Sequence, residues 1–201
     1  MYRVNETFLS IQGEGYWSGR PAVFCRMSGC NLWSGREEDR AAAICTFCDT
    51  NFVDYETYSL EQLVSEITLL WPGGGTPMVI FTGGEPLLQL DSGLTRTLRD
   101  QGWYVALETN GTKRVTVAVD WICVSPKTPT IIPDCCDELK LVYPQKRITP
   151  EMFQHVDADH FWVSPMDSPH LAENTAKAFD YCLANPQWRL NTQTHKQIGV
   201  R

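Results

Sequence analysis

The chain has 201 residues, of which 43% are hydrophobic and 20% are charged, and these are ordinary values for a globular protein. They exclude an intrinsically disordered chain, a collagen-like repeat and a coiled coil. The formal net charge is −7, from 17 basic and 24 acidic residues. This balance argues against a general binder of nucleic-acid phosphates and favours small-molecule chemistry or a protein partner.

The N-terminal run MYRVNETFLSIQGEG lacks the basic and apolar regions of a signal peptide. No run approaches the ~20 apolar residues that a membrane-spanning helix needs. We therefore expect a cytoplasmic protein, with neither a membrane nor a nucleic acid among its partners.

Eight cysteines in such a compartment are expected to be reduced thiols, metal ligands or catalytic groups. Cys25, Cys123 and Cys182 fall inside predicted strands or a predicted helix, so we expect them to pack as small apolar residues. Cys30, Cys45 and Cys48 fall close together in a charged, loop-like region.

The predicted elements alternate between strands and helices. β-Branched and aromatic residues predict a strand over 21–28. Helical spacing and a capping pair, Ser59 and Gln62, predict a helix over 59–71, which Pro72 and the following glycines end. Similar patterns predict a strand over 78–81, a helix over about 91–101, strands over 104–107, 121–124, 139–143 and near 160–163, a helix near 173–183 and an extended run over 188–192. This alternation indicates one α/β domain with a parallel sheet or an incomplete barrel.

Polar or glycine-rich segments follow four of the predicted strands. They are TGGE (82–85), ETNG (108–111), SPK (125–127) and SPMD (164–167). Because barrel enzymes carry their chemistry at the carboxyl ends of the strands, we expect the active site there. The alternative is that these residues are simply turn formers.

Cys30, Cys45 and Cys48 have the spacing C-x14-C-x2-C. A structural zinc site would need a fourth ligand, which Cys25, the Cys135–Cys136 pair or a histidine could supply. A C-x2-C pair also occurs in redox proteins. Three cysteines suit a [4Fe–4S] cluster in which one iron has no protein thiolate and stays open to a ligand. The spacing alone leaves these alternatives open.

The cysteine motif resembles that of radical S-adenosylmethionine (SAM) enzymes, including the aromatic Phe47 between the last two cysteines. The GGEP run resembles the segment that contacts the methionine amino group of the cofactor in that superfamily. The long first interval resembles one group within it, the 7-carboxy-7-deazaguanine synthases with an expanded cluster loop. The segments that carry this resemblance, in order along essentially the whole chain, are LSIQGEG (9–15), GRPAVFCRMSGCNLW (19–33), CDT (48–50), TGGEP (82–86), ETNG (108–111), VSPK (124–127), PMD (165–167) and QTHK (193–196).

The resemblance implies an incomplete parallel β/α barrel of the radical SAM type, in a single domain over 1–201 whose extended loop, about 30–50, binds the cluster. The implied reaction converts 6-carboxy-5,6,7,8-tetrahydropterin to 7-carboxy-7-deazaguanine and ammonia, a step toward queuosine, through a 5′-deoxyadenosyl radical. The implied cofactors are one [4Fe–4S] cluster, SAM and Mg²⁺. The implied partners are the pterin, an electron donor such as a flavodoxin, and a second copy of the chain in a homodimer.

The resemblance also implies roles for individual residues. Cys30, Cys45 and Cys48 would ligate the cluster, and Thr50 would bind Mg²⁺. The residues implied to bind SAM are Gly84, Ser125, Pro126, Lys127, Ser164, Pro165, Met166 and Asp167. Those implied to bind the substrate are Ile11, Gln12, Gly13, Arg26, Thr82 and Arg201. No side chain is expected to be catalytic itself, because the cofactors carry the radical chemistry.

Residue chemistry supports several of these roles and leaves alternatives. Arg26 can form a forked pair with a carboxylate, or an ordinary ion pair on its strand. Gly84 allows close approach of the backbone to a ligand. The Thr50 hydroxyl suits Mg²⁺, which keeps much of its water, or it caps a helix or turn. Glu85 has the alternative of an acid at a helix start. Glu85 and Glu108 would help in binding the cofactor. His195 would contact the substrate or serve as a structural histidine, and Glu14 is assigned no role.

Two other functions remain open from the sequence. A glycyl-radical-enzyme activase is similarly small and uses the same cofactor, but its large protein substrate has less need of the QGEG run and Arg26. A zinc-stabilised binding module would contain zinc without iron or sulfide.

Overall fold

A computed structural model describes residues 1–201. The chain divides into two compact units. The first contains residues 1–10, 21–109 and 113–122, and the second contains residues 11–20, 110–112 and 123–201. No helix combines the length and the apolar composition required to cross a bilayer.

The chain forms strands that alternate with helices over most of its length. The strands are β1 (Tyr2–Ile11), β2 (Pro21–Met27), β3 (Glu56–Tyr58), β4 (Met78–Gly83), β5 (Tyr104–Thr109), β6 (Trp121–Val124), β7 (Cys135–Tyr143), β8 (Asp157–Pro165) and β9 (Trp188–Leu190). The α-helices are α1 (Leu60–Leu70), α2 (Ser92–Asp100), α3 (Leu171–Ala184) and α4 (Thr194–Ile198), and 3-10 helices span Glu37–Ala42, Pro86–Leu88 and Pro150–Phe153.

The strands of the first unit follow the order β3-β1-β2-β4-β5. β4 pairs in parallel with β2 and with β5, whereas the short β3 pairs antiparallel with β1. Val79 and Phe81 of β4 are fully buried and share one core with Leu63 of α1 and Leu98 of α2. The parallel pairing brings the polar carboxyl ends of β2, β4 and β5 to the same edge of the sheet.

The strands of the second unit follow the order β6-β7-β8-β9, and each pairs with its neighbour in parallel. In this register Val142 lies beside Ser164 and Tyr143 beside Pro165. The polar segment after β8 therefore starts at the carboxyl end of β7. α3 packs on β8 and β9.

The predicted α/β class is confirmed, and each predicted strand and helix is present with small changes of bounds. Ser59 forms the predicted capping box, because its hydroxyl accepts the Gln62 N–H at 3.2 Å and its own N–H donates to the Gln62 side chain at 2.7 Å. β1, β3 and α4 were not predicted. In β1, polar residues separate the buried Tyr2, Val4 and Phe8, which left no compact apolar run to detect.

Candidate active site

The loop after β2 carries Cys30, Cys45 and Cys48 in the first unit. All eight cysteines of the chain are free thiols. The sulfur of Cys30 accepts the backbone N–H of Leu32 at 3.5 Å, and burial raises the pKa of this thiol. Cys45 is buried, and the Cys48 thiol lies 3.9 Å from the carbonyl oxygen of Thr50.

The donor chemistry of this loop fits an iron–sulfur cluster. It offers three thiols outside any disulfide, and one of them already receives an N–H donor of the kind that stabilises cluster sulfurs. In the structure no three Cys, His, Asp or Glu side chains lie close enough together to hold a metal ion. The loop therefore fits an iron–sulfur cluster by the type of its ligands, which are thiols, and not by a preformed arrangement of them.

Arg40 ties the two halves of the loop together. Its Nη1 donates to the carbonyl oxygens of Thr46 at 3.0 Å and of Cys48 at 3.1 Å. Its guanidinium lies 4.0 Å from the ring centroid of Trp33, and its Nε donates to Glu37 at 2.8 Å. We name these contacts the Arg40 clamp. They fix the backbone around the C-x2-C pair from within the 14-residue interval.

The other cysteines are placed as packing residues or at the surface. Cys25 and Cys123 are buried in β2 and β6, as predicted, and burial raises the pKa of the Cys25 thiol. Cys182 is only partly buried in α3. Cys135 and Cys136, considered as a fourth zinc ligand, belong to β7 in the second unit.

Gly84 lies against the start of the cysteine loop. Its N–H donates to the Met27 carbonyl at 2.9 Å, and the next N–H, of Glu85, donates to the Gly29 carbonyl at 2.9 Å. A Cβ at position 84 would lie 2.0 Å from the Gly29 oxygen. The packing of the protein itself therefore requires a glycine here, in addition to any approach by a ligand.

Glu85 is fully buried and caps the 3-10 helix at Pro86–Leu88. Its side chain accepts the Leu87 N–H at 3.1 Å and the Thr109 hydroxyl at 2.8 Å. The alternative interpretation of Glu85 as a helix-start acid agrees with these contacts.

Arg26 and Thr82 lie side by side on the paired strands β2 and β4. The Nε of Arg26 is 3.0 Å from Glu6 Oε1, which is within ion-pair range, although that N–H makes no hydrogen bond. An ion pair without this directional bond leaves the guanidinium fork with donors to offer a carboxylate. The Thr82 hydroxyl donates to Glu108 at 3.0 Å, so Glu108 fixes the direction of that hydroxyl.

In the second unit, polar residues follow β6 and β8. Lys127 Nζ donates to the Ser125 hydroxyl at 2.7 Å, and the buried Ser164 hydroxyl accepts from the Asn191 side chain at 2.7 Å. After β8, Asp167 forms an ion pair with Lys196. These segments, which include Pro126, Pro165 and Met166, stand at strand ends as expected.

The segment after β1 is folded back on itself around Gln12. The Gln12 N–H donates to the Arg20 carbonyl at 2.8 Å, and its carbonyl accepts the Gly19 N–H at 2.7 Å. The Gly13 carbonyl accepts the Thr194 N–H at 2.9 Å. The side-chain oxygen of Gln12 also accepts the Glu14 N–H at 3.1 Å, so both the backbone and the side chain of Gln12 shape this segment.

Thr50 is partly buried and Arg201 is exposed. Thr50 precedes no helix, because the next regular element is β3, so of the two capping alternatives the helix cap is wrong and the turn cap stays a prediction. Ile11 is the last residue of β1, and Arg201 ends the chain beyond α4.

Buried polar residues on β7 were missed by the sequence analysis. Glu138 and Lys140 are 3% and 7% exposed, although both are ionisable. Their spacing of two places both side chains on the same face of the strand. The signal in the sequence was a pair of opposite charges two apart in a strand of otherwise apolar residues, DELKLVY.

Comparison with known proteins gives consistent matches over the whole chain. The sequence profile of the Radical SAM superfamily matches residues 40–130. Relatives named 7-carboxy-7-deazaguanine synthase include those of Caulobacter vibrioides, 49% identical over 99% of both chains, and of Bordetella pertussis, 50% identical over 99% of both chains. That of Bradyrhizobium diazoefficiens is 49% identical over 100% of this chain and 99% of its own.

The fold also matches a solved structure. The crystal structure of QueE from Escherichia coli superimposes with a TM-score of 0.72 over 96% of this chain and 94% of that chain, at 24% sequence identity. This likeness confirms the incomplete parallel β/α barrel expected from the sequence. The sequence identities above show that the chain belongs to the 7-carboxy-7-deazaguanine synthase family of the radical SAM superfamily.

Proposed function

We propose that this protein converts 6-carboxy-5,6,7,8-tetrahydropterin to 7-carboxy-7-deazaguanine with release of ammonia, as a carbon–nitrogen lyase in queuosine and 7-deazapurine biosynthesis. The observation that carries the proposal is the identity of about half of all positions, over 99% of both chains, with relatives that bear this activity in their names. The alternatives of a glycyl-radical-enzyme activase and a zinc-stabilised module have no comparable support.

The [4Fe–4S] cluster and SAM, when bound, supply the radical chemistry. The protein's own residues then have the tasks of holding, orienting and shielding the reactants. Cys30, Cys45 and Cys48 would hold the cluster. Backbone hydrogen bonds from Gly84 and Glu85 to the residues before Cys30 support this role, because they join the SAM-binding segment to the loop of the ligands.

We propose the following binding residues from the family resemblance and their placement at strand ends. SAM would contact Gly84, Ser125, Pro126, Lys127, Ser164, Pro165, Met166 and Asp167. The substrate would contact Ile11, Gln12, Gly13, Arg26, Thr82 and Arg201, and Mg²⁺ would be bound through Thr50.

Arg26 would hold the substrate carboxylate. Its ion pair with Glu6 keeps the guanidinium in place, and a planar fork matches a carboxylate in two parallel hydrogen bonds. Glu108 would orient Thr82 by accepting a hydrogen bond from its hydroxyl. The hydroxyl oxygen of Thr82 could then accept a hydrogen bond from the substrate.

The partners and the location belong to the same proposal. The chain over 1–201 would work as one radical SAM core, with a cluster-binding loop at about 30–50. It would be a cytoplasmic homodimer that takes electrons from a donor such as a flavodoxin.

The test is anaerobic reconstitution with iron and sulfide, followed by reductant, SAM, Mg²⁺ and the pterin. We expect the 7-carboxy-7-deazaguanine chromophore and ammonia, with far more product formed than SAM consumed. The matched control is Cys30→Ala, treated identically. Zinc without iron and sulfide in anaerobically purified protein would contradict the proposal, as would modification of a glycyl-radical enzyme in place of pterin turnover.

A further inference from the structure

A largely buried ion pair, in which the Glu14 side chain keeps 17% exposure, lies beside the proposed substrate-binding segment. Lys140 Nζ on β7 lies 2.5 Å from Glu14 Oε2, and Lys140 is only 7% exposed. Gln193 donates from its side chain to the other oxygen of Glu14 at 2.8 Å. Both carboxylate oxygens of Glu14 are therefore engaged, one by a cation and one by an amide.

The two residues after Glu14 are also held, by side chains of β7 and of the residue after β9. The Gly15 N–H donates to the Asn191 side chain at 2.7 Å, and the Tyr16 N–H donates to Glu138 at 2.9 Å. Gly15 has a φ of +67°, and a Cβ there would lie 2.4 Å from a Glu138 oxygen. A glycine is thus required for the segment to lie so close to β7.

The residue before Glu14 meets the start of α4. The Gly13 carbonyl accepts the Thr194 N–H at 2.9 Å, and a Cβ on Gly13 would lie 2.0 Å from Nδ1 of His195. The imidazole therefore occupies the space that Gly13 leaves. Gly13, Glu14 and His195 form one packed group in the second unit, and Lys140 supplies its buried cation.

We propose that Lys140 is a positioning residue, which holds Glu14 and thereby sets residues 11–13 and His195 in the arrangement that receives the pterin. This inference rests on the proposed function for the identity of the ligand. Lys140 need not touch the substrate, because its charge is already directed at Glu14.

The electrostatics of the pair favour a lasting contact. Desolvation by burial raises the pKa of Glu14, but the charge of Lys140 and the hydrogen bonds from Lys140 and Gln193 outweigh it and bring the pKa to about 2. Other charged or titratable groups near this segment are His195 on α4, Glu138 on β7 and His160 on β8, whose ring stacks on Tyr16. Glu14 is therefore ionised at neutral pH, and its ion pair with Lys140 persists there.

A buried pair of this kind is a costly way to add stability, because two charges must leave water. Apolar residues of similar volume often stabilise a site equally well, but they do not orient a neighbouring side chain as a hydrogen-bonded ion pair does. A variant in which both charges are removed therefore separates the two roles. If the role is purely structural, that variant should restore stability and pterin affinity together; if the role is positioning, it should restore stability alone.

The experiment compares Lys140→Met, Glu14→Gln and the double variant with the wild type. Amide hydrogen exchange follows residues 12–20, and equilibrium titration gives the affinities for the pterin and for SAM. The matched control is Lys177→Met, which breaks an exposed ion pair with Glu173 on α3. In Lys140→Met we expect at least tenfold faster exchange in residues 12–20 and at least tenfold weaker pterin binding, with SAM affinity within twofold of wild type.

The double variant is expected to recover its unfolding midpoint relative to Lys140→Met but not its pterin affinity. Recovery of both together would overturn the proposal and leave the pair a structural one. If Lys140→Met does not fold, Glu14→Gln is the test variant, because its amide keeps the shape of the side chain and the contact with Gln193. Amide exchange and pterin affinity at wild-type levels in Glu14→Gln would also overturn the proposal. A wild type that binds no pterin would instead refute the proposed function, while the exchange data would still show whether the pair holds the segment.

Discussion

Gly84→Ala tests whether the contact between the SAM-binding segment and the cysteine loop is a packing requirement of the protein. The added Cβ would lie 2.0 Å from the Gly29 carbonyl oxygen. Ordinary carbon–oxygen contacts begin at roughly 3.3 Å, so the two backbones must separate by about 1.3 Å. A separation of that size would break the hydrogen bonds of Gly84 and Glu85 to the neighbouring carbonyls, each now 2.9 Å long.

Two lost hydrogen bonds at about 1 kcal/mol each, together with overpacking of about 1–3 kcal/mol, predict a loss of roughly 3–5 kcal/mol of stability. For a chain of this size the loss corresponds to a fall in Tm on the order of 10 °C. A displacement of about 1 Å at the reacting groups also predicts an activity roughly 100-fold lower.

The assay is thermal unfolding of the anaerobic protein without SAM, followed by SAM titration. The steric argument predicts a lower Tm before any SAM is added. An unchanged Tm with weakened SAM binding would refute it and show that only the ligand needs the glycine. Gly102→Ala is the control, because its Cβ has open space and meets only the strain of a φ of +83°. This strain costs about 1–2 kcal/mol and should leave SAM affinity unchanged.

Four further changes test single residues. Cys30→Ala is expected to abolish the cluster absorbance and SAM cleavage, whereas Cys182→Ala should keep both and lose about 1 kcal/mol of stability; a full cluster in Cys30→Ala would contradict the ligand assignment. Arg26→Ala should weaken pterin binding by roughly 2–5 kcal/mol in titrations without changing SAM affinity, and equal losses of both would assign it to the fold. Thr50→Val should slow turnover as omission of Mg²⁺ does and leave the cluster absorbance intact; wild-type rates at every Mg²⁺ concentration would remove Thr50 from the metal site. Glu14 contributes stability above its ordinary pKa of 4.5 that is lost as the pH falls toward its folded value of about 2, so the difference in unfolding free energy between wild type and Glu14→Gln, from urea denaturation, should shrink from pH 6 to pH 3.

The sequence predicted the parts of the fold that depend on local pattern. The helix after Ser59 was located because its cap and its apolar spacing lie within a few adjacent residues. β1 was missed because its buried residues are separated by polar ones, and its partner β3 has only three residues. Such a strand is defined by what pairs with it, and that partner is distant in the sequence.

The candidate site divides in the same way. The cysteine spacing and the polar strand ends are visible in the sequence, since each is a short run of characteristic residues. The partner of Glu14 was not predictable, because Lys140 is 126 residues away and only the fold brings them together. For Gly84 the sequence suggested only the approach of a ligand as the reason for a glycine. The second reason, the Gly29 carbonyl that leaves no space for a Cβ, depends on the three-dimensional structure.

The Arg40 clamp changes what the long interval between Cys30 and Cys45 means for the design of such loops. The interval itself supplies Arg40, which donates to the carbonyls of Thr46 and Cys48 and so stabilises the C-x2-C segment. The loop therefore contains the contact that stabilises it, and a deletion that includes Arg40 would remove that contact. Transplanted into another scaffold, residues 30–50 would bring this internal brace with them, whereas a shortened version would depend on its new host to supply one.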